Sequence, residues 1–387
     1  MRSVPLGHPS VSGRTDVLIV GGGIVGAACA AACAQAGLTV ALVEADLAVG
    51  MDATAAGMGQ IVAMDGSPAE LALTRYSQRL WDDLARSLPE DCEYERCGTL
   101  WIAADDDEME EAARKATRYH EHALQAELLE QRDLYALEPA LRPGLAGGLC
   151  VPGDSILYAP RAAAALLAEA ERHGARALFG CRVRALHEGE VELDDGARMA
   201  ARTVVLATGA RAAELIPELP IRPRTGHLVI TERYPALVRH QLVELGYVKS
   251  AHGTDADSVA FNLQPRPTGQ LLIGSSRQYG RADPAVDRVI VARMLKRAIA
   301  YLPVLHGLDA LRVWTGQRAA TLDGLPYIGP CPGRAWLFVA AGHEGLGITA
   351  ALATARLLSD HLLGRAPEIA PEPYSPARAW LETVVRA

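Results

Sequence analysis

The chain has 387 residues, and this length favours two domains or one large α/β body with an inserted lobe. Half of the residues are hydrophobic and 22% are charged, which is typical of a soluble globular protein. The net charge of −8, without a stripe rich in lysine and arginine, disfavours a partner made of nucleic acid.

The first predicted elements form one continuous unit. Residues 1–15 are polar and lack the apolar segment of a secretory signal, so we expect a loose tail in a cytoplasmic protein. Residues 17–20 and 38–43 are apolar runs typical of buried strands, and residues 24–36 are rich in alanine, as in a helix packed on a sheet. The consecutive glycines between them disfavour a membrane span. Strand, turn, helix and strand predict a βαβ unit with parallel strands.

A glycine-rich turn joins the first strand to the helix. In the pattern G-x-G-x-x-G, Gly21 permits the tight turn, Gly23 lets a pyrophosphate approach the backbone, and Gly26 lets the helix pack on the strand. The helix N-terminus supplies free N–H groups to the anion. Glu44 ends the second strand, where it can accept hydrogen bonds from a ribose, and its charge disfavours NADP. The predicted dinucleotide site comprises Gly21, Gly23, Ile24, Val25, Gly26 and Glu44.

The next distinctive segment is acidic. The stretch ADDDEMEEAARK begins at residue 104 and opens a helical pattern that continues to about residue 130. Capping and the helix dipole explain acidic side chains at a helix start. Docking of a partner on residues 105–111 is the alternative.

Later elements return to the pattern of strand, turn and helix. Residues 203–207 predict a buried strand, followed by the turn Thr208–Gly209. A strand at 337–341, a glycine-spaced turn and a helix over about 346–363 follow near the C-terminus. Two glycine turns so far apart in the chain suggest a cofactor long enough to touch both. Between them, apolar runs predict strands of a second region at 226–231, 259–263 and 271–275.

The seven cysteines do not form a recognisable site. Their spacing is irregular and no C-x-x-C occurs, whereas zinc and iron–sulfur sites need tighter, repeated spacings. We therefore predict no metal site and no disulfide framework in this chain.

Several stretches, in their order along the chain, resemble one known family. They are ATAAGMG (53–59), GARALFGCRVRAL (174–186), VVLATGA (204–210), RPTGQLLIGSSR (266–277), WTGQRAATLDGLPYIG (314–329) and GHEGLGIT (342–349). The ordered set resembles the D-amino-acid oxidase group of FAD-dependent oxidoreductases, which includes glycine oxidase and sarcosine oxidase. GHEGLGIT is most similar to catalytic β subunits of heteromeric dehydrogenases, including D-hydroxyproline dehydrogenase, opine oxidase and hydrogen cyanide synthase.

The resemblance implies an α/β fold with a discontinuous Rossmann-type FAD-binding domain and a sheet-based α+β substrate domain. The FAD-binding domain would comprise residues 14–80, 145–220 and 318–387, and the substrate domain 81–144 and 221–317. Some relatives attach FAD to a cysteine just after the W-x-G-x-R element. Residues 319–322 contain no cysteine, so we expect non-covalent FAD.

The resemblance also implies further cofactor contacts. Val183 would contact the adenine end through its backbone, residues 53–57 would line the flavin, and the turn 342–347 would lie beside the flavin ring. The helix N-terminus after that turn would stabilise negative charge on the reduced flavin. The residues added to the site are Ala53, Thr54, Ala55, Ala56, Gly57, Val183, Thr208, Gly209, Gly342, Glu344, Gly345, Leu346, Gly347, Ile348 and Thr349.

The implied reaction is oxidation of the C–N bond of a small amino or imino acid by hydride transfer to the flavin. Positioning is then the main contribution of the protein. Arg318, in the W-x-G-x-R element, matches the arginine that binds the substrate carboxylate in the glycine oxidase type, since a guanidinium fork fits a carboxylate. Arg277 and Arg266 are weaker candidates, because both can belong to sheet-edge ion pairs.

The acid–base chemistry is less defined by the sequence. His343 is the candidate catalytic histidine, and it or Glu344 could accept a proton from an ammonium substrate. The alternative is that His343 only orients the turn. His227 and His252 are weaker candidates than His343, because their motif context is weaker. We assign no general base.

The resemblance leaves the substrate and the electron acceptor open. We expect 4-hydroxy-D-proline or a related D-imino acid first, opines second and glycine third. We expect electrons to pass to a partner subunit, which could also hold the protein at a membrane. A stand-alone oxidase that makes hydrogen peroxide, a non-catalytic FAD-bearing subunit and a monooxygenase of the hydroxylase type are the alternatives.

Overall fold

The computed structural model describes residues 14–246, 257–280 and 285–379. His252 and most of the predicted N-terminal tail lie outside these residues. The helices are α1 (Ile24–Gln35), α2 (Ala53–Ala56), α3 (Pro68–Ala85), α4 (Asp106–Glu121), α5 (Gln131–Leu137), α6 (Ala159–Arg172), α7 (Ala212–Leu215), α8 (Arg288–Tyr301) and α9 (Gly347–Leu362).

The strands occur in three sheets. They are β1 (Thr15–Val20), β2 (Val40–Val43), β3 (Gln60–Ile61), β4 (Thr99–Ala103), β5 (Glu127–Glu130), β6 (Gly147–Val151), β7 (Ser155–Ile156), β8 (Arg176–Leu178), β9 (Val183–His187), β10 (Glu190–Leu193), β11 (Arg198–Leu206), β12 (Arg222–Arg233), β13 (Gln241–Glu244), β14 (Ser258–Pro265), β15 (Gln270–Tyr279), β16 (Ala310–Ala320), β17 (Tyr327–Cys331) and β18 (Arg334–Ala341).

The first sheet has the order β17-β18-β11-β1-β2-β8. From β18 to β8 the neighbouring strands are parallel, whereas β17 is antiparallel to β18. Helix α1 connects β1 to β2 and packs against α6 and α9. These pairings confirm the predicted βαβ unit, and the parallel sheet with its helices confirms the predicted α/β class.

Small residues let α1 approach the sheet closely. Its alanines and cysteines are buried in one core with β1, β2 and α6. A Cβ atom at Gly26 would overlap the carbonyl oxygen of Gly21, so a glycine is required there. The third glycine of the motif therefore serves packing, as its spacing predicts.

The second sheet has the order β16-β12-β15-β14-β13-β4-β6-β5. It is antiparallel apart from the parallel pair β13–β4. Helix α8 packs on β14 and β15, where Phe261 stacks on Tyr301 with ring centroids 4.8 Å apart. The strands predicted at 226–231, 259–263 and 271–275 are confirmed within β12, β14 and β15. The division into domains stays a proposal, and β6 pairs with the second sheet.

The acidic segment caps α4. The Asp105 carboxylate accepts the Glu108 N–H at 2.9 Å, and the Glu108 carboxylate accepts the Ala104 N–H at 2.8 Å. The predicted continuation of this helix to residue 130 is wrong. The backbone turns to a positive φ of 54° at Ala123, and residues of β5 then pair with β6. Sheet pairing, a non-local interaction, overrides the local helical pattern there.

Among the described residues, every helix is too short or too polar to span a membrane.

Candidate active site

A cavity of about 300 Å³ lies where the two large sheets meet. The first sheet contributes the carboxyl ends of β1, β2, β11 and β18, and the second sheet contributes residues of β12, β14, β15 and β16. Helix α2 and the turn 342–345 close the remaining sides. Ligands of α/β proteins bind at the carboxyl ends of parallel strands, and this cavity has that position.

Most of the residues predicted from the sequence line this cavity. They are Gly21, Gly23, Ile24, Val25, Glu44, Ala53, Thr54, Ala56, Gly57, Val183, Thr208, Gly209, Arg318, Gly342, His343, Glu344, Gly345, Gly347 and Ile348. The predicted residues that do not line it are Gly26, Ala55, Leu346 and Thr349. Gly26 packs on β1, and Thr349 donates its hydroxyl to the carbonyl of Gln60 at 2.9 Å, so these two have structural contacts.

The first glycine turn is fixed by close contacts and by Glu44. Gly21 has a φ of 107°, and a Cβ atom there would lie 2.6 Å from the carbonyl oxygen of Ala207. The Glu44 carboxylate accepts the N–H of Gly22 and, at 2.7 Å, the N–H of Asp46. Each carboxylate oxygen has a further lone pair for a ligand hydroxyl. The turn and its acid therefore fit the ribose and pyrophosphate of a dinucleotide.

Two threonines of the predicted cofactor site extend this region. The Thr54 hydroxyl accepts the N–H of Ile24 at 3.0 Å and so fixes α2 against the N-terminus of α1. The buried Thr208 hydroxyl has no hydrogen-bond partner among the described residues, although it lines the cavity. A buried polar group without a partner is costly, and a polar group of a bound cofactor would satisfy it.

The second glycine turn is tied to β16. The Glu344 N–H donates to the carbonyl of Ala319 at 2.9 Å, which links the turn to the strand directly after Arg318. Gly342 has a φ of 89°, and a Cβ atom there would lie 2.5 Å from Thr321. Glu344 also has a positive φ, 49°, which is strained for a residue with a side chain. The turn therefore places Glu344 beside Arg318 at an energetic cost.

His343 is buried, and its ring contacts α9. Its Nε2 atom lies 2.9 Å from the Thr354 hydroxyl. Burial lowers the pKa of His343 to about 4, so the ring is neutral near pH 7. These contacts favour the alternative in which His343 orients the turn, and its direct catalytic role stays a prediction.

Replacing His343 by glutamine should change how stability depends on pH. Between its unfolded pKa of 6.5 and its folded pKa of about 4, the unfolded chain binds a proton that the folded chain does not. Acidification from about pH 7.5 to about pH 4.5 should therefore cost the wild type about 2–3 kcal/mol that the variant does not lose. Urea unfolding of both proteins at the two pH values measures the difference.

The comparison of the two proteins isolates His343 from other buried groups. Burial raises the pKa of Asp154 to about 6, which stabilises the fold on acidification, but this contribution is common to both proteins. An equal acid response of wild type and His343→Gln would contradict a neutral, buried ring. His343 would then again be a candidate for exchanging a proton with the substrate.

Arg318 lies on β16 directly opposite Arg224 on β12. Its Nη1 atom donates to the carbonyl of Ser276 at 2.9 Å. Its guanidinium covers Gly226, where a Cβ atom would come within 2.7 Å of Cζ. Within the described residues, Arg318 has no carboxylate within 4 Å, and it lines the cavity. Arg318 therefore presents a positive charge that an anionic ligand can pair with.

The two neighbouring arginines pair with Glu344. Its Oε1 atom lies 3.3 Å from Nη1 of Arg224 and 3.5 Å from Nε of Arg277. Burial alone would raise the pKa of Glu344, but the charges of Arg277, Arg318 and Arg224 hold it below its usual value. Burial and the charges of the other two arginines lower the pKa of Arg224, although Glu344 opposes them. Glu344 is therefore an anion inside a cationic cluster.

Arg318 donates to the backbone carbonyl of Ser276, and the hydroxyl of the same serine contacts His227, which the sequence did not reveal. The Ser276 hydroxyl accepts the backbone N–H of His227 and lies 2.9 Å from its Nδ1 atom. The N–H of Asp287 donates to Nε2 of the same ring at 3.0 Å, so the ring proton is on Nδ1. Arg266, by contrast, pairs with Glu93 and does not line the cavity.

Comparisons with known proteins show the family of this chain. Residues 16–361 match the DAO family model, described as FAD dependent oxidoreductase. Glycine oxidase of Pseudomonas aeruginosa is 29% identical over 385 residues, which covers 93% of this chain and 98% of that protein. Hydrogen cyanide synthase subunit HcnC of the same organism is 27% identical over 393 residues, covering 89% and 91%.

A solved structure is similar over nearly the whole chain. The crystal structure of glycine oxidase from Geobacillus kaustophilus has a TM-score of 0.85 and 29% identity, and the match covers 94% of this chain and 99% of that one. The family match spans most of the chain and includes both glycine turns and Arg318. This chain therefore belongs to the DAO family of FAD-dependent oxidoreductases, and its cofactor is FAD.

Proposed function

We propose that this enzyme oxidises the C–N bond of a small amino or imino acid whose carboxylate pairs with Arg318. The observation that carries the proposal is the position of Arg318, which lines the cavity and has no carboxylate within 4 Å among the described residues. A half-buried guanidinium of this kind gains a charge-assisted, bidentate interaction when a carboxylate binds.

The chain itself contributes binding and orientation. FAD, when bound, supplies the acceptor for the hydride that leaves the substrate carbon. Arg318 fixes the carboxylate end of the substrate, and the backbone carbonyl of Ser276 accepts a hydrogen bond that orients Arg318. His343 is neutral, and its Nε2 atom is engaged by Thr354, so we propose that it orients the turn instead of accepting the substrate proton. Proximity and orientation then supply most of the rate enhancement.

We propose 4-hydroxy-D-proline or a related D-imino acid as the substrate. The support is the similarity of GHEGLGIT to a group of catalytic β subunits that includes D-hydroxyproline dehydrogenase. Glycine, third in the order expected from the sequence after opines, is supported by the similarity along nearly the whole chain to a protein named glycine oxidase. A screen of small amino and imino acids with the purified chain and an artificial dye would identify the substrate.

We propose that electrons pass to a partner subunit and that the protein works in the cytoplasm. The support is the similarity to a protein named as a subunit of hydrogen cyanide synthase. The acidic segment is a weak docking candidate, because capping uses Asp105 and Glu108, and Glu111 pairs with Arg118 at 2.9 Å. After anaerobic reduction by substrate, slow reaction with air but fast reaction with dye would support a dehydrogenase. Rapid reoxidation in air with stoichiometric peroxide would favour a stand-alone oxidase.

The purified protein should be yellow and should release its flavin on acid precipitation. The physical reason is that residues 319–322, where some relatives attach FAD, offer no thiol. The absorbance spectrum of the supernatant measures the released flavin. Flavin that stays with the precipitate would contradict non-covalent binding, and a colourless chain after reconstitution would contradict the proposed function.

A further inference from the structure

The Glu344 carboxylate lies beside two arginines at the cavity. Its Oε1 atom faces Arg224 on β12 and Arg277 on β15, and both arginines are largely buried. The same carboxylate lines the cavity together with Arg318. A substrate that pairs with Arg318 therefore lies in the same cavity as a fixed negative charge of the protein.

The backbone holds this charge in place. The Glu344 N–H donates a hydrogen bond to the Ala319 carbonyl, and the Gly345 N–H donates to Oε2 of Glu344 at 2.6 Å. Glu344 also keeps a left-handed backbone conformation that is unfavourable for a residue with a side chain. Strained residues persist where surrounding contacts fix them, often at functional sites, and here the fixed group is a carboxylate.

We propose that Glu344 is a specificity-determining residue that fills the second anion position of the site and restricts the substrate to compounds with a single carboxylate. A monocarboxylate pairs with Arg318 and leaves the pair Arg224–Arg277 to Glu344. A dicarboxylate, such as an opine or iminodiacetate, would bring a second negative charge toward Glu344 in a partly desolvated cavity. Two like charges close together repel each other, so the dicarboxylate should bind less tightly than a monocarboxylate.

This inference rests on the proposed function, since it assumes that Arg318 binds a substrate carboxylate. It narrows the substrates to amines such as D-proline derivatives or glycine and excludes opines. It also predicts a gain of function. Removing the negative charge of Glu344 removes the like charge that opposes the second carboxylate of a ligand in this cavity.

The test uses the FAD-bound protein and two unreactive ligands, acetate and malonate. Each ligand is titrated while the flavin absorbance is followed, with wild type, Glu344→Gln, Glu344→Ala and the control Glu368→Gln. The control removes a surface acid that pairs with Arg79. Wild type and control should bind acetate at least tenfold more tightly than malonate. Both Glu344 variants should shift this ratio toward malonate by a factor of at least ten.

The outcomes show whether the role of Glu344, the proposed function or both are wrong. Wild type that binds malonate as tightly as acetate, or variants that keep the wild-type ratio, would overturn the role of Glu344 while leaving Arg318 as a carboxylate site. Failure of wild type to bind either ligand would overturn both. If the Glu344 variants lose FAD or do not fold, the ratio of acetate to malonate affinity in the wild type still tests whether the site rejects a second carboxylate.

Discussion

Replacing Arg318 by alanine is expected to lower kcat/KM for a carboxylate substrate by roughly 30- to 1,000-fold, which corresponds to about 2–4 kcal/mol. The substrate carboxylate would lose its charged partner in a partly desolvated cavity. Arg318→Lys should recover only part of the loss, because an ammonium group cannot reproduce the planar fork of a guanidinium. Steady-state kinetics of the three proteins with one substrate measure both effects.

FAD content is the internal control for these variants. Arg318 donates to Ser276 in the second sheet, and among the described residues no hydrogen bond joins it to the first glycine turn, so the bound flavin should be retained. An Arg318→Ala enzyme with unchanged kcat/KM for a carboxylate substrate would contradict the assignment. Loss of FAD in that variant would contradict the separation of the substrate and cofactor positions.

Replacing Gly226 by alanine is expected to reduce activity although it neither adds nor removes a charge. The new methyl group would come within 2.7 Å of Cζ of Arg318, so the guanidinium must move away from Ser276. Misplacement of a binding group by about 1 Å can cost about 100-fold in rate, and we expect a decrease of about that size in kcat/KM. The loss should be small for an amine that lacks a carboxylate, because such a compound does not use Arg318.

Gly307→Ala is the matched control for this substitution. A Cβ atom at Gly307 has open space around it, and the backbone there does not need a glycine. Activity of Gly307→Ala should equal that of the wild type. Equal activity of Gly226→Ala, or an equal loss with substrates that have and lack a carboxylate, would contradict the proposed packing of Arg318 on Gly226.

The sequence predicts the cofactor half of the site because its signals are local. Gly21, Gly23 and Gly26 lie within six positions of the chain, and alternation of strand, turn and helix defines their surroundings. The parallel pairing of β1 with β2 follows from the right-handed crossover rule. Glu44 was predicted for the same reason, since it ends the second strand of that unit.

The substrate half depends on contacts between distant segments, and the sequence could not predict them. Glu344 lies 120 residues from Arg224, and His227 lies 49 residues from Ser276. The register of β12 with β15 and β16, together with the hydrogen bond from the Glu344 N–H to the Ala319 carbonyl, brings these side chains together. The end of α4 was missed for a similar reason, because pairing of β5 with β6 decides it.

Anaerobic mixing of the FAD-bound protein with matched pairs of amines tests the central claim most directly. Each pair consists of an amino or imino acid and the same amine without its carboxylate, such as D-proline with pyrrolidine and glycine with methylamine. Bleaching of the flavin absorbance reports reduction. We predict stoichiometric bleaching by at least one carboxylate-bearing amine of a screen and little or none by its partner. Absence of bleaching by every such compound, or equal bleaching by both members of a pair, would contradict the account.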